Sequence, residues 1–418
     1  MLNYIKDLMT FKNLVLIFPV ALISVKILGN LILLIILFVG IKNYLINNYQ
    51  PFKTPGTKLI SIISIAYFLI MLLSILLNAG FNEELKHIAR KLHFFLLPLI
   101  SLAFIGFKID FRAIIISVKV GLISIGLITL FQISLKIQGF SYLTELTEGS
   151  SRFSGMINAN VAGDIMVLMF FMSLVRIFDE NKKELLLTVA SSSLGLFAII
   201  LSGSRGSWLT FTILVIVLFI LKFKKIVFSI HKRKFFLNSI VLFLISFSVV
   251  FAPRINNAYQ HTLSNIHIWA DNQEIYSSSG IRLEMWQASF EAFKDAPWYG
   301  YGYRLANSKV SDYSLNHSEI ISAFTHLHNE YITALLSAGV PGLVSLLIFL
   351  FVPMAIFFKS RHNEKNYYIS IMGIILTLGY AISGLTHIAL GEEHLNAFYV
   401  FYIVLLLNLL EKNKEDNV

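Results

Sequence analysis

The chain has 418 residues, of which 56% are hydrophobic and only 14% charged, with a mean hydropathy of +0.73. A soluble globular protein carries nearer a quarter charged residues, and a soluble all-α protein would need polar helix faces that the long apolar runs here lack. The formal net charge of +10 does not point to nucleic acid, because the basic residues lie mostly in short loops between apolar runs, and with no cysteine the chain can have no disulfide, thiol nucleophile or Cys-based metal site.

Apolar runs of spanning length predict about twelve transmembrane helices. They lie near 13–27, 30–46, 59–79, 92–107, 113–133, 159–177, 185–201, 207–221, 236–252, 340–358, 367–387 and 395–410. The first run has Lys6 and Lys12 as a basic flank and no small-residue cleavage site after it, so it reads as a span and not as a cleavable signal. Alternate loops carry Lys42/Lys53/Lys58, Lys108/Arg112, Arg176/Lys182/Lys183, Lys222 to Lys234, and Lys359/Arg361/Lys365. By the positive-inside rule these loops and both termini are cytoplasmic. The fold class is an all-α polytopic membrane protein: a single integral membrane domain over 1–418. One large outer loop, 253–328, is inserted between the ninth and tenth spans and contains amphipathic helices.

Spanning helices are joined by short turns unless an outside segment has work to do, so this loop is where chemistry is expected. It holds Trp269, Trp286 and Trp298, three of the four tryptophans, and a Gly300-Tyr301-Gly302 turn. Residues 280–293 read as an amphipathic helix that puts Arg282 and Trp286 on one face. A plain membrane-surface helix would also need such aromatics. The end of the loop runs into His326-Leu327-His328-Asn329-Glu330. The two histidines, two apart, would face different ways on a helix, which makes them a poor metal pair unless the segment is extended. A neutral imidazole suits proton abstraction from a hydroxyl.

Arg205 lies in the turn Ser202-Gly203-Ser204-Arg205-Gly206-Ser207, between two spans. Ser204 suits a helix cap, and a helix N-terminus with an adjacent arginine makes a phosphate or diphosphate site. The plain alternative is an arginine reaching out to lipid head groups. Other polar groups collect at the same ends of spans: Arg152 in Ser150-Ser151-Arg152-Phe153-Ser154, and Glu392 and Glu393 ahead of His394. Two arginines and a histidine on one membrane face suit a lipid diphosphate and a hydroxyl nucleophile. Arginine is always charged, planar and bidentate.

At these residues the sequence resembles the O-antigen ligase family. That family carries a His followed by Asn, Ser or Gln, then nine residues, then Gly-x-x-Gly; here His328-Asn329 precede Gly339-Val340-Pro341-Gly342. The Ser204-Arg205-Gly206 turn resembles the family's arginine at the outer end of a central span. Gly280 to Arg282, Trp286 and Pro297 to Gly302 resemble its outer helical region. Leu343-Val344 stand where some ligases have small hydroxyl residues.

The resemblance implies a bacterial inner-membrane glycosyltransferase whose site faces the periplasm. It would move O-antigen polysaccharide from undecaprenyl diphosphate to a sugar hydroxyl of lipid A–core. The implied chemistry is inverting and metal-independent, with no cofactor. His328 would be the general base, and Arg205 and Arg282 would hold the diphosphate. His326, Asn329, Arg152, Glu392 and Glu393 are secondary candidates. A polysaccharide polymerase using the same donor is the nearest alternative. Such polymerases tend to have two large arginine-rich loops, whereas here one loop is large. A metal-dependent oligosaccharyltransferase-type enzyme would need an acid in a large first outer loop, and the turn at 26–30 has none. A lipid-linked sugar transporter would place its polar groups near the bilayer midplane.

Overall fold

The computed structural model describes residues 10–25, 27–50, 55–78, 81–137, 153, 155, 157–228, 260, 278–314, 318–324 and 326–415. Among the described residues there are fourteen α-helices and no strand. In chain order they are α1 Phe11–Ser24, α2 Leu28–Leu45, α3 Pro55–Asn78, α4 Phe81–Leu102, α5 Phe111–Ile137, α6 Ala159–Ser173, α7 Lys182–Leu201 and α8 Arg205–Phe228. After them come α9 Ser278–Asp295, α10 Tyr303–Asp312, α11 Ser318–Ser322, α12 Glu330–Ser360, α13 Tyr367–Ser383 and α14 Glu393–Glu415. Among the described residues eight segments are long and apolar enough to cross a membrane, and Phe11–Ser24 and Arg205–Leu221 are shorter apolar helices. The chain is a multi-pass membrane protein.

Every predicted span except the ninth falls on a described helix; the ninth, 236–252, lies outside the described residues. The fourth differs in extent. Hydropathy starts it near 92, yet α4 begins at Phe81. Residues such as Glu83, Glu84, Lys86 and Arg90 are good helix formers but too polar for lipid, so the helix runs past the apolar stretch.

Position in the bundle follows from which faces are apolar. In α14 every residue from His394 to Leu407 is buried, so this helix is enclosed by its neighbours. By contrast, α2 exposes Leu31, Leu34 and Phe38, and α7 exposes Leu186 and Val189, which gives both a lipid-facing side. The predicted amphipathic helix is α9. Its Ile281, Met285 and Ala288 pack with Ala306 and Val310 of α10, Ile321 of α11, and Leu327 and Leu336. The apolar face of α9 is therefore turned to protein.

The Gly-x-x-Gly motif is the seam between this outer cluster and the bundle. Pro341 has no N–H to offer the Ser337 carbonyl, and α12 is broken there, with non-helical backbone at Ala338 and at Gly339 (φ 65°, ψ −160°). The freed carbonyls are taken by the Gly300–Gly302 turn: Tyr301 N–H donates to Leu336 O (2.8 Å) and Gly302 N–H to Ser337 O (3.0 Å). Val340 N–H in turn donates to Pro297 O (2.8 Å). Both partners must be glycine. Gly300 also has positive φ, and a Cβ on Gly339 would lie 2.5 Å from the Trp298 carbonyl carbon, while one on Gly300 would lie 2.5 Å from Leu336 O.

Candidate functional site: a cationic cavity beside a row of histidines

One end of the bundle holds a cavity of about 260 Å³. The start of α6 contributes Asn160 and Asp164, and the turn into α8 contributes Ser204 and Arg205. From α9 comes Arg282, and from the connection between α13 and α14 come Thr386 and His387. The two arginines singled out from sequence, 77 positions apart, thus meet in one space.

Local chemistry positions each group. Arg205 is the first residue of α8. Ser204 caps that helix, its Oγ accepting from Ser207 N–H (3.4 Å), so free backbone N–H groups and the positive end of the helix dipole lie beside the guanidinium. The Ser207 hydroxyl donates to Asp164 Oδ1 (2.7 Å), and Thr210 and Ser383 hydroxyls lie 3.1 Å apart, tying α8 to α13. Asp164 is a carboxylate only 2% exposed on an otherwise apolar helix. Its Oδ2 stands 3.9 Å from His387 Nδ1. Two guanidiniums and one carboxylate thus line the same cavity.

The histidines continue from the cavity wall. His387 and His326 have ring centroids 6.2 Å apart, and His326 and His328 are 4.1 Å apart at an interplanar angle of 79°. Leu327 between them is anchored on both sides. Its side chain is buried in the outer apolar cluster, and its carbonyl accepts from Trp286 Nε1 (2.9 Å). His328 has φ +53°, a conformation that costs a non-glycine residue roughly 1–3 kcal/mol and that clusters at functional sites. The next residue holds it there. Asn329 Oδ1 accepts from the N–H groups of Tyr331 and Ile332 (3.0 Å each), and its Nδ2 donates to Leu385 O (3.2 Å). Asn329 is the cap of α12 and pins that helix to the connection carrying His387.

Burial pushes all three imidazoles down. His387 falls to about 3, with His326 and the Arg282 charge adding to the effect. His326 falls to about 4, again by burial first and then Arg282. His328 falls to about 2, by burial, then His326, then Arg282. All three are neutral at ordinary pH and able to accept a proton. His328 Nδ1 and His387 Nδ1 are buried without a hydrogen-bond partner. Among the described residues no group of three His, Asp or Glu is arranged to hold a metal.

Arg205, Arg282, His326 and His328 therefore converge. Arg152 lies outside the described residues. Glu392 is half-buried and Glu393 exposed at the start of α14, and neither lines the cavity; Glu393 acts electrostatically on His93. Asp164 and His387 were not singled out from sequence, because both fall inside predicted spans. A lone carboxylate within an apolar run was the available signal, since ionisable groups inside spans are rare and mostly functional.

Fold and site together define a multi-pass α-helical membrane protein with a cavity lined by two arginines, beside a row of neutral imidazoles, at one end of its bundle. A family model described as O-Antigen ligase matches residues 190–347. The chain is 27% identical over 302 residues to the O-antigen ligase of Escherichia coli K12, covering 70% of this chain and 68% of that one. It is also 25% identical over 350 residues to an uncharacterized protein of Haemophilus influenzae Rd, covering 80% and 81%. The family match and the ligase relative support membership of the O-antigen ligase family and, with it, an O-antigen ligase-type, glycosyl-transferring function.

Proposed function

We propose that the chain transfers O-antigen polysaccharide from undecaprenyl diphosphate to a sugar hydroxyl of lipid A–core, at the periplasmic face of a bacterial inner membrane and with both termini in the cytoplasm. The observation that carries this is the convergence of Arg205 and Arg282 on one cavity with a histidine row leading away from it. In this reading the chain is one integral membrane unit, with α9–α11 forming the outer part that closes over the membrane-borne substrates.

Arg205 and Arg282 grip the diphosphate and stabilise the charge that grows on it as the sugar–oxygen bond breaks. His328 takes the proton of the acceptor hydroxyl as that oxygen attacks the anomeric carbon, in a single inverting displacement. A base this depressed is weak in the empty site. A diphosphate beside Arg282 offsets the positive field acting on the imidazoles, so the base strengthens when donor arrives. The two guanidiniums supply positive charge of the kind a divalent cation supplies at other diphosphate sites, so transfer is expected to survive EDTA.

The test is the lipopolysaccharide of a strain lacking this protein, run on a gel beside its carrier-linked polymer. Bare lipid A–core with long polymer accumulating on the carrier is the expected result. A core carrying a single repeat, with no long chains anywhere, would make the protein the polymerase that uses the same donor.

A further inference from the structure

Each turnover leaves one proton to be moved. The acceptor O–H bond breaks, a bond forms from that oxygen to the anomeric carbon, and the bond from that carbon to the diphosphate oxygen breaks with its electron pair. The departing diphosphate gains negative charge, and His328 has gained a proton it must lose before it can act again. We propose that His387 delivers this proton to the departing diphosphate, with His326 carrying it from His328 and Asp164 positioning the His387 ring. The inference rests on the reading of the cavity as the diphosphate pocket.

Three features of the geometry point there. His387 shares the cavity wall with both arginines, so among the three histidines it is the one beside the place where the leaving group sits. The three rings stand in a row, His328–His326–His387, with centroid separations of 4.1 and 6.2 Å. The longer step is one that a bridging water or a modest ring movement closes, and catalytic contacts are often long before substrate binds. The third feature is Asp164. Its Oδ1 is fixed by the Ser207 hydroxyl, and its Oδ2 faces the buried, unpartnered Nδ1 of His387 at 3.9 Å. A carboxylate beside one ring nitrogen sets the tautomer and stabilises the imidazolium that forms when the other nitrogen takes a proton.

The charges facing His387 are Asp164 from α6, Arg205 from α8, Arg282 from α9 and His326 from the segment before α12. With the pocket empty, burial first and then His326 and the Arg282 charge keep His387 neutral. A bound diphosphate offsets the Arg282 charge, so the relay loads only when donor is present. The proton ends on the diphosphate, no oxidant or reductant enters, and all three imidazoles are restored.

The experiment uses the full-length chain in lipid nanodiscs, with polymer transfer to lipid A–core as one readout and inorganic pyrophosphate as a competitive probe of the pocket. His387→Gln is expected to lower kcat about 10²-fold while the pyrophosphate inhibition constant stays unchanged. Added imidazole is expected to restore turnover to His387→Ala, and Asp164→Asn to move the pH profile of kcat more than KM. Wild-type turnover in His387→Gln overturns the relay, as does a parallel loss of turnover and pyrophosphate inhibition without imidazole rescue. If pyrophosphate does not compete with donor and the Arg205→Ala and Arg282→Ala variants transfer normally, the pocket reading itself fails, an outcome distinct from failure of the relay alone.

Discussion

The two ends of α6 carry the same kinds of charged residue and use them in opposite ways. Beyond its C-terminal end, Lys119 and Glu180 form a pair at 2.5 Å with side chains 1% and 3% exposed. Arg112 pairs with Glu184, Thr188 donates to Glu180, and Asn181 and Glu184 close a capping box at the start of α7. Every charge named there has a nearby opposite charge. At the N-terminal end, two arginines share a cavity with one carboxylate, and two imidazole nitrogens are buried with no partner. Removing one partner of a buried matched pair strands the other and costs stability, while perturbed imidazoles beside arginines in a cavity mark a candidate functional site.

That contrast can be broken by substitution. His328→Ala is expected to cut polymer transfer by roughly 10²–10⁴-fold while the protein still inserts and keeps its thermal stability, read by lipopolysaccharide gels beside a melting curve. Normal transfer by this variant would remove its role as base. Lys119→Met does the reverse. It strands Glu180 in the interior at about 3–5 kcal/mol, so the purified protein should melt well below wild type, with an unchanged transfer rate per folded molecule. Loss of rate without loss of stability would mean that this end, too, serves the chemistry.

A smaller effect belongs to Asn329→Ala. Losing the cap costs about 1 kcal/mol and also releases the backbone that holds His328 at positive φ. The expected signature is a modest fall in melting temperature with a larger fall in kcat than in KM. A further effect concerns pH. All three histidines lie below their ordinary value of 6.5 in the folded protein, so the unfolded chain binds more protons between 6.5 and the folded values. Stability is therefore full above pH 6.5 and declines as pH falls through that window. His387→Gln should flatten the decline in melting temperature; an identical slope would contradict the burial of a neutral His387.

Much of this was readable from the chain because it is local. Apolar runs locate the helices, Ser204-Arg205 and His328-Asn329 announce themselves as polar groups at span ends, and Arg282 as a charge on an amphipathic helix of the long loop. The nine-residue spacing to Gly339 also has a local meaning: it is the length of helix from the Asn329 cap to the kink at Ala338 and Gly339. What could not be read is convergence. Asp164 and His387 sit 223 positions apart, one on α6 and the other in the connection after α13, and α13 must lie against α8 before Thr386 and His387 come near Arg205. The polar first half of α4 was missed for a related reason. Hydropathy marks where lipid begins and not where a helix does.

The central claim is that Arg205 and Arg282 together hold the diphosphate of a lipid-linked donor. It is tested most directly by purified wild type and the Arg205→Ala and Arg282→Ala variants, given undecaprenyl-diphosphate-linked polymer and lipid A–core without added metal. The account predicts polymer-bearing lipid A–core from the wild type, and from each folded variant a loss of about 10²–10³-fold together with weakened pyrophosphate competition. Variants that transfer at the wild-type rate would contradict it.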